Sequence, residues 1–479
     1  MISARIFTLT WLPLMDPSEG RYATIGKTMS TGGDYITPQI IIDGKLIPFW
    51  GKPPLFFWAE TLCIKLFGAN EFASRLPSAL SGIALLLLIY WIISRYHGKD
   101  SGAAAAFITF SSGAFFFVSG LVLLDMMLVL FSCGAWLLYY AFLKETASRN
   151  KKLFSVAVFV FLAFGFMVKG PVALAMFGVP VFFWTLLNKR WKHLVDHAWL
   201  TGSFLFLAIT VPWFIVAEQK TPGFLNYFFI HENILRFLSS KYGDLYGTGH
   251  KFPYGMSILF MLAAAAPWTA WALFLIVKKA VQLKQKGLSY RELMSATLEC
   301  EDQTTEKFSY FAVAFISITI FWCFARQMLL YYLLPAVPAF SIWIAFYFKK
   351  HNVSMKSISR SALLLTCIYS VSLFGIYLLM GKTQSTKSIV QYIKNIDEVN
   401  NIVFVRRVPY TAYFYGDGMT ELHPKEDIAV SLGRGGKDQN TVYVVSDHYQ
   451  KRFFNKIEKL GERVQIIYKS HNWLIAKKI

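Results

Sequence analysis

The sequence predicts a polytopic α-helical membrane protein that ends in a small α/β domain. Of its 479 residues, 55% are hydrophobic and only 16% are charged, and the mean hydropathy is +0.43. Charged residues usually make up about a quarter of a soluble domain. Long apolar runs fill residues 1–380, whereas residues 381–479 are more polar and contain short β-branched runs. The chain is therefore predicted to contain a membrane domain, 1–380, and a C-terminal domain, 381–479.

The apolar runs predict about eleven transmembrane helices. A helix needs about 20 apolar residues to cross the hydrocarbon layer. The first run, from Ile6 to Met15, is short. The others lie at 74–94, 101–121, 124–143, 153–168, 170–188, 198–217, 254–277, 308–325, 328–348 and 360–380. In the first loop, Arg21 to Met29 and Pro54 to Phe67 each have an apolar and a polar side, which predicts two helices lying in the membrane interface.

Basic loops orient these spans. Lysine and arginine collect in cytoplasmic loops, and this rule accounts for the formal net charge of +20 without a nucleic-acid partner. The opening loop 16–74, the segment 218–253 and the C-terminal domain are then predicted to face the periplasm of a Gram-negative bacterium. The basic loops on the cytoplasmic side are 95–100, 144–152, 188–193, 278–287 and 349–356.

The C-terminal region has the pattern of an α/β domain. Its β-branched runs alternate with helical patterns at 385–396 and 447–460. The predicted strands cover 402–405, 441–445 and 464–467. The five cysteines are scattered, so neither a disulfide framework nor a zinc site is predicted. They are Cys63, Cys133, Cys300, Cys323 and Cys367.

Carboxylates are rare on the predicted outer side, which makes each a candidate for chemistry. Asp16 and Glu19 lie three residues apart, on one face of a helix if a helix begins there. Such a carboxylate can take a proton from an acceptor hydroxyl or hold a divalent cation. Alternatively, both acids simply open the predicted helix at Arg21. Asp125 begins an apolar run, where an ionisable side chain is costly and usually functional, although helix capping is the other interpretation.

Cations on the same side predict binding of an anionic group. Lys52 lies between Gly51 and Pro53, and the proline keeps the preceding residue extended. A lysine held in this way can bind a lipid phosphate. Lys169 lies beside an outer turn, although it could also extend to the membrane interface. Arg75, Arg236 and Arg326 add to a charge pattern that suits a lipid-phosphate substrate.

Several motifs occur in a fixed order along the chain, and together they resemble one family. The chain resembles the bacterial aminoarabinose (lipid A) transferases, which are related to the protein O-mannosyltransferases. These are GT-C fold enzymes that use polyprenyl-phosphate sugars. The motifs are Glu19 to Ala23, Gly33 to Pro38, Lys52-Pro53-Pro54 with Trp58, Phe67-Gly68 through Arg75-Leu76-Pro77, Asp125, Lys169-Gly170-Pro171, Phe228-Phe229 to Glu232, Arg236-Phe237, Pro267-Trp268 and Tyr332 to Pro335.

The resemblance implies roles for these residues. It places Asp125 and an acid of the first loop at the reaction centre. The family has Asp-Glu where this chain has Ser18-Glu19, so the base is Asp16 or Glu19. The donor phosphate is expected on Lys52 and Arg236, with Arg326 or Lys169. Substrate contacts are expected from Arg21, Tyr22, Arg75, His231, Glu232 and Tyr332.

Other departures from the family concern a metal. Gly51 replaces the acid that often precedes the lysine, and Asn233 replaces a histidine of some members, although His231 is close. The resemblance therefore implies no metal site. The sequence specifies no cofactor, since carboxylates serve both cation-bound and cation-free mechanisms.

With the family resemblance, these observations predict an inverting glycosyltransferase of the bacterial inner membrane. The resemblance implies that a sugar passes from a polyprenyl-phosphate donor, among membrane lipids, to a hydroxyl of lipid A or another lipopolysaccharide component on the periplasmic face. A protein serine or threonine is the alternative acceptor. A lipid transporter or flippase without chemistry is a rival, but no internal repeat is visible and the polar residues gather at one face. An inactive polyprenyl-lipid binding protein is a third interpretation.

Overall fold

The computed structural model of the chain is dominated by helices. It describes residues 1–42, 44–239, 245–246, 250–285, 309–380, 384–396, 399, 401–405, 408–416, 422–425, 441–469 and 473–478. Cys300 and positions 286–287 of the predicted basic loop lie outside these residues. The α-helices are Ile2–Phe7, Ser18–Ser30, Leu55–Phe67, Glu71–His97, Lys99–Phe110, Gly113–Val118, Leu124–Lys144, Ser148–Lys169, Pro171–Asn188, Lys192–Val195, Trp199–Lys220, Phe224–Asn226, Arg236–Leu238, Met256–Ala264, Trp268–Gln285, Tyr310–Cys323, Ala336–Lys350, Met355–Met380, Lys387–Lys394, Tyr410–Tyr415 and Gln450–Lys459.

The chain forms two compact units. The first consists of Met1–Ile6, Trp50–Phe56 and Pro77–Ser370. The second consists of Phe7–Phe49, Phe57–Leu76 and Val371–Ile479. The second unit therefore contains most of the opening loop as well as the C-terminal region. The boundary between residues 380 and 381 stays a prediction.

Six helices in the described part of the chain are long and apolar enough to span a membrane. This confirms the predicted polytopic class. They are Glu71–His97, Leu124–Lys144, Ser148–Lys169, Pro171–Asn188, Trp199–Lys220 and Met355–Leu379. In the first unit, Leu124–Lys144 packs against the two helices that follow it. Its buried aromatic residues include Trp136, whose carbonyl accepts a hydrogen bond of 3.0 Å from the Tyr310 hydroxyl.

The remaining predicted spans are shorter or interrupted. The run 101–121 divides into Lys99–Phe110 and Gly113–Val118. The run 254–277 becomes Met256–Ala264 and Trp268–Gln285, with a bend of 102° between them. Pro267 lies at this bend, because proline lacks the N–H that an uninterrupted helix needs. Apolar composition alone does not reveal such breaks, so the predicted continuous helices are wrong here.

The chain start also differs from the prediction. A helix covers Ile2–Phe7, a 3-10 turn follows at Thr8–Thr10, and no helix forms from there to Pro17. The predicted short run Ile6 to Met15 is therefore mostly non-helical. The two predicted interfacial helices are present as helices in the structure. The helix Ser18–Ser30 corresponds to the first and Leu55–Phe67 to the second. Their position in the membrane interface stays a prediction.

A five-stranded mixed sheet forms the core of the C-terminal region. Its order is β4-β3-β5-β7-β6, with β3 Asn401–Val405, β4 Leu422–Lys425, β5 Thr441–Ser446, β6 Val464–Lys469 and β7 Trp473–Lys478. Strand β3 pairs in parallel with β4 and β5, whereas β7 is antiparallel to β5 and β6. The predicted small α/β domain is thus confirmed.

Alternation along β5 explains why both faces of this sheet are covered. Val442 and Val444 pack on one side against the helix Lys387–Lys394, and Tyr443 and Val445 pack on the other against Gln450–Lys459. Successive side chains of a strand point to opposite faces. Burial at successive positions, from Thr441 to Val445, is therefore the mark of a strand in a sheet between two helical layers.

A small hairpin in the second unit was not predicted. Strand β1, Gln39–Ile42, pairs antiparallel with β2, Lys45–Pro48. The sequence signal is the Asp43-Gly44 pair between two apolar runs, which is typical of a two-residue hairpin turn. Asp43 itself lies outside the described residues.

Two glycines provide a test of the packing in the first unit. Gly170 joins two membrane helices with φ +68°, and a Cβ there would lie 2.4 Å from the Phe228 ring. We expect Gly170→Ala to lower the free energy of unfolding by about 1–3 kcal/mol through strain and overpacking. Gly178→Ala is the matched control, because nothing lies within 4 Å of its Cβ position. That change should raise stability by about 0.5–1 kcal/mol, as for other Gly→Ala changes inside helices. Thermal unfolding in detergent measures both, and equal effects would contradict the packing described here.

Candidate functional site

A cationic pocket in the first unit is the principal candidate site. It encloses a cavity of about 50 Å³ and is partly open to its surroundings. Three of its lining residues are cations that come from separate parts of the sequence, whereas one is an acid. The lining residues are Lys52, Lys169, Val172, Glu232, Asn233, Arg236, Phe237, Trp322, Gln327 and Tyr332. An anionic group is the ligand that this lining favours.

A π-helix contributes the acid and positions one of the cations. Residues Tyr227–Leu235 form this π-helix, and the helical turn Arg236–Leu238 follows it directly. The Asn233 side-chain amide donates a 2.7 Å hydrogen bond to the Phe228 carbonyl, five residues earlier. π-helices are rare and are frequently found at functional sites. The local geometry therefore supports the pocket as a site.

Glu232 joins two of the cations. Arg236 donates a hydrogen bond of 2.6 Å to its Oε1, and the Lys52 ammonium donates to the same oxygen. Its side chain is only 3% exposed. The other oxygen, Oε2, is buried and has no hydrogen-bond partner among the described residues. One carboxylate thus holds two cations and retains a free acceptor atom.

Lys52 makes a second polar contact in the pocket. Its ammonium also donates a 2.7 Å hydrogen bond to the Gly51 carbonyl. Burial lowers the pKa of Lys52 below its ordinary value of 10.5, whereas the Glu232 carboxylate opposes that change and the cations Arg236 and Lys169 add to it. The ammonium therefore loses its proton more readily than an exposed lysine would.

Lys169 forms the third cationic element of the pocket. Its ammonium donates a 2.6 Å hydrogen bond to Asp125 Oδ1, and both side chains are buried. The same ammonium lies 4.3 Å from the centre of the Tyr332 ring, a cation–π contact. From the sequence, Asp125 could have been a helix cap and Lys169 could have extended to the membrane interface. In the structure they form an ion pair, and Lys169 lines the pocket.

The first-loop acids lie in the second unit, and Glu19 is fully engaged there. Arg75 donates to both of its carboxylate oxygens at 3.0 Å. The remaining N–H groups of Arg75 donate to the carbonyls of Leu9, Leu12 and Pro13 at 2.6–3.1 Å. The two side chains are 1% and 5% exposed. This geometry holds residues 9–13 together, and it leaves Glu19 little freedom to accept a substrate proton.

Asp16 has different partners from Glu19. Its carboxylate accepts a hydrogen bond from the Thr411 hydroxyl and another, of 3.2 Å, from the Thr411 amide. Its own backbone amide donates to the Gln384 carbonyl at 2.9 Å. The side chain is half-buried. The choice between Asp16 and Glu19 as base, which the sequence left open, remains a prediction, but their surroundings are now distinct.

The other predicted substrate residues are divided between the units. Arg21 lies with its guanidinium 5.0 Å from the Tyr22 ring centre, and Tyr22 packs against Phe57 in the second unit. In the first unit, the His231 ring stacks on Tyr227 at 5.8 Å. His231 does not line the cationic pocket, so its role stays a prediction.

Arg326 is also outside the pocket lining. Its guanidinium lies 4.2 Å from the centre of the exposed Tyr254 ring, and its backbone amide donates to the Phe237 carbonyl. Phe237 itself lines the pocket. The structure thus places Arg326 in a cation–π contact near a pocket residue. Its predicted phosphate-binding role is untested.

Glu60 is an acidic residue that the sequence analysis missed. It is fully buried in the helix Leu55–Phe67, and a Cβ on Gly26 would lie 2.7 Å from its carboxyl group. Burial raises the pKa of Glu60 well above its ordinary value of 4.5, and the negative charge of Glu19 adds to that change. The sequence signal that could have identified Glu60 was its position in an apolar helical run, directly after Phe57-Trp58-Ala59.

A metal site is not apparent in the part of the chain that the structure describes. No three histidine, cysteine or carboxylate side chains there come together with metal-binding geometry. The catalytic and substrate roles predicted from the sequence remain proposals. The structure brings together Lys52, Lys169, Glu232, Arg236 and Tyr332, with Asp125 paired to Lys169.

The fold matches that of a solved protein structure. The structure of ArnT from Cupriavidus metallidurans bound to undecaprenyl phosphate matches with a TM-score of 0.75 at 17% identity, covering 99% of this chain and 96% of that one. The chain is ArnT-like in fold. The GT-C fold class that the resemblance predicted is therefore confirmed. At this identity the structural match speaks for the ArnT-like fold alone.

Sequence relatives agree with the ArnT-like fold. Residues 10–228 match the family described as Dolichyl-phosphate-mannose-protein mannosyltransferase. The undecaprenyl phosphate-alpha-4-amino-4-deoxy-L-arabinose arabinosyl transferase of Edwardsiella ictaluri is 28% identical over 53% of this chain and 44% of its own length. A relative of the same description from Proteus mirabilis is 27% identical over 70% of this chain and 56% of its own length. The chain spans about half the length of the curated relatives it matches.

The Glu19–Arg75 pair can be tested as a structural element. Removing one partner of a buried ion pair leaves an uncompensated charge and costs about 3–5 kcal/mol. We expect Glu19→Gln and Arg75→Met each to lower the free energy of unfolding by that amount, measured by thermal unfolding in detergent. Arg75→Lys should also destabilise, because lysine cannot reproduce five directed N–H groups.

The control for that test is Glu145→Gln. Glu145 also pairs with an arginine, Arg95, at 2.8 Å, but the arginine is 42% exposed. Exposed pairs contribute about 0–1 kcal/mol, so this change should have a small effect. A stable Glu19→Gln protein that has lost sugar transfer would instead identify Glu19 as the base.

Proposed function

We propose that this protein is an inverting glycosyltransferase that moves a sugar from a polyprenyl-phosphate donor to an acceptor hydroxyl. The observation that carries the proposal is the convergence of Lys52, Lys169 and Arg236 on one pocket of an ArnT-like fold. Its relatives are named as transferases that use an undecaprenyl-phosphate sugar. The Cupriavidus protein of the same fold binds undecaprenyl phosphate.

In this proposal the three cations hold the phosphate of the donor. The bond between the anomeric carbon and its phosphate oxygen breaks, and that oxygen leaves with the phosphate. The acceptor oxygen forms the new bond from the opposite side, which inverts the anomeric carbon. Its proton passes to a carboxylate. Fixed positive charges stabilise the negative charge that develops on the leaving phosphate, and the pocket holds both partners in position.

We assign the proton-accepting role to Asp125, which lies in the same unit as the pocket, rather than to Glu19. Asp125 is tied to the pocket through Lys169. Asp16 remains half-exposed beside Thr411. Glu19, in contrast, is buried and takes two hydrogen bonds from Arg75. A base must be able to reach the hydroxyl from which it takes the proton.

We further propose lipid A or another lipopolysaccharide component as the first acceptor, on the strength of the family resemblance. The distribution of basic loops supports a site and a C-terminal domain that face the periplasm at the inner membrane. A serine or threonine of a secreted protein is the second candidate. The match of residues 10–228 to a family described as a protein mannosyltransferase favours testing it.

Sugar transfer from a synthetic polyprenyl-phosphate aminoarabinose tests the proposal. Lys52→Met and Arg236→Met should each lower transfer about 100-fold, since each removes a charge from the phosphate. Asp125→Asn should lower turnover similarly if Asp125 takes the proton. Lys192→Met, at an exposed lysine, is the control. Lipid A and a serine-rich peptide are compared as acceptors. Full activity in the Lys52, Arg236 and Asp125 variants would contradict the proposal.

The lowered pKa of Lys52 predicts how phosphate binding depends on pH. The ammonium binds phosphate only while it is protonated, so affinity is present below its pKa and is lost as pH rises through it. Because burial puts that pKa below 10.5, the loss should come at a lower pH than an exposed lysine would produce. Arg236, Lys169, Glu232 and Tyr332 are the charged or titratable groups that face Lys52.

Binding of a short polyprenyl phosphate in detergent, followed from about pH 7.5 to 10.5, measures this dependence. Lys52→Arg is the informative variant, because arginine stays charged throughout that range. It should bind with an affinity that no longer falls with pH. An unchanged pH dependence in Lys52→Arg would assign the titration to another group.

A further inference from the structure

Glu232 is the only acid among the described residues that line the cationic pocket. Its Oε1 accepts hydrogen bonds from both Lys52 and Arg236. Two contacts to one oxygen fix the orientation of the carboxylate, so the position of the other oxygen, Oε2, is set before a ligand binds. The side chain is only 3% exposed, so this carboxylate belongs to the buried part of the pocket.

The second oxygen of Glu232 lacks a hydrogen bond. Oε2 is buried and has no hydrogen-bond partner among the described residues. Leaving a buried acceptor unsatisfied is costly, and more so when the group is charged. The phosphate of a sugar-phosphate diester cannot satisfy it, because the oxygens of a diester only accept hydrogen bonds. A ligand that satisfies Oε2 must therefore carry a hydrogen-bond donor outside its phosphate.

The charge of the pocket decides which hydrogen-bond donor fits. Sugars offer hydroxyl groups and, in amino sugars, an ammonium group. Lys52, Lys169 and Arg236 are three cations, whereas Glu232 and the Asp125 that pairs with Lys169 are two acids. Among the described residues, the positive charge is thus in excess, which favours the phosphate and disfavours a further cation close to it. A neutral hydroxyl meets no such repulsion.

The phosphate determines which hydroxyl comes close to Glu232. Lys52 and Arg236 contact Oε1 of Glu232, and in the proposed function they also hold the phosphate, so the phosphate and the carboxylate share two cations. The anomeric carbon is bonded to a phosphate oxygen, and the hydroxyl on the neighbouring ring carbon is the nearest to that phosphate. In glycoside hydrolysis, hydrogen bonds to the same hydroxyl strengthen in the transition state.

We propose that Oε2 of Glu232 accepts a hydrogen bond from the sugar hydroxyl beside the anomeric carbon, so that the enzyme selects sugars with a free hydroxyl at that position. The inference rests on the proposed function, since it takes a polyprenyl-phosphate sugar as the ligand. Glu232 is then a specificity-determining residue with two contacts. Its Oε1 keeps Lys52 and Arg236 in place for the phosphate, and its Oε2 recognises the sugar.

Binding of three synthetic ligands tests the proposal. All are short polyprenyl-phosphate aminoarabinoses, and they carry a hydroxyl, a hydrogen or a fluorine on the carbon beside the anomeric carbon. Calorimetry in detergent without an acceptor measures affinity, so that the different reactivities of the three sugars do not enter. Wild-type protein should bind the hydroxyl ligand about 10- to 100-fold more tightly than the other two, since only a hydroxyl donates to Oε2.

Glu232→Gln changes the group that faces the sugar. We expect its amide oxygen to stay on Lys52 and Arg236, which need an acceptor, so that an NH₂ group takes the place of Oε2. This group donates instead of accepting, and a hydroxyl or a fluorine can each receive its hydrogen bond. The preference for hydroxyl over fluorine should therefore fall to about threefold or less. All three ligands carry the same charge, so their affinity ratios do not report the lost charge of Glu232.

The control variant is Glu145→Gln. It removes an acid that also pairs with an arginine of the first unit, at the far end of the helix that begins beside Asp125, Leu124–Lys144. It should leave the three affinities and their ratios unchanged. Wild-type ratios in Glu232→Gln would overturn the inference, because Glu232 would then only position the cations.

The comparison in wild-type protein needs no substitution and covers the case in which Glu232→Gln does not fold. Equal affinities of wild-type protein for the three ligands would overturn the inference. A short polyprenyl phosphate without a sugar separates this result from failure of the proposed function. If it binds while the three sugars are not distinguished, only the role of Glu232 fails. If wild-type protein binds none of the four ligands, the proposed function fails, which is a separate result.

Discussion

The carboxylate of Glu232 holds two cations that are 184 residues apart in the chain, Lys52 and Arg236. A buried ammonium or guanidinium without a partner would be too costly to keep charged. The pair of contacts therefore allows a site for an anion to exist within an apolar helical unit before the anion arrives. The Lys169–Asp125 pair does the same on another side of the pocket.

The class of protein could be predicted from composition, because apolar runs of membrane length and a polar tail leave little choice. Lys169 and Asp125 were also accessible as candidates, since charged side chains in apolar surroundings are conspicuous, whereas Glu232 and Tyr332 were expected only from the family resemblance. The pairing of the charged side chains was not accessible. Nothing in the sequence links Lys169 to Asp125, or Glu19 to Arg75 across 56 residues. Such contacts depend on tertiary packing, which local patterns do not encode.

The interruptions of the helices were also not predicted. Residues 101–121 and 254–277 are mostly apolar, yet the first divides at Ser111-Ser112 and the second just before Trp268, at Pro267. Helix breaks within a membrane are tolerated where neighbouring groups satisfy the freed backbone. One such case is the Gly113 amide, which donates to the Ala266 carbonyl at 2.9 Å. Gly113 follows the break in the first run and Ala266 lies in the break of the second, so a backbone group freed at one break is satisfied at the other. A hydropathy pattern indicates which segments are apolar, but it does not show which carbonyl accepts a hydrogen bond from a given backbone amide.

The π-helix has a consequence for how relatives of this chain are compared. Its hydrogen bonds reach five residues back, as the Arg236 amide does to the His231 carbonyl, so each turn holds more residues than an α-helical turn. Counting residues along the chain then misjudges which side chains share a face. Whether His231 or Asn233 corresponds to a histidine in another protein is thus a question of helical phase, not of spacing in an alignment. A relative that lacks one residue here would turn a different side chain toward the pocket while its sequence still aligned.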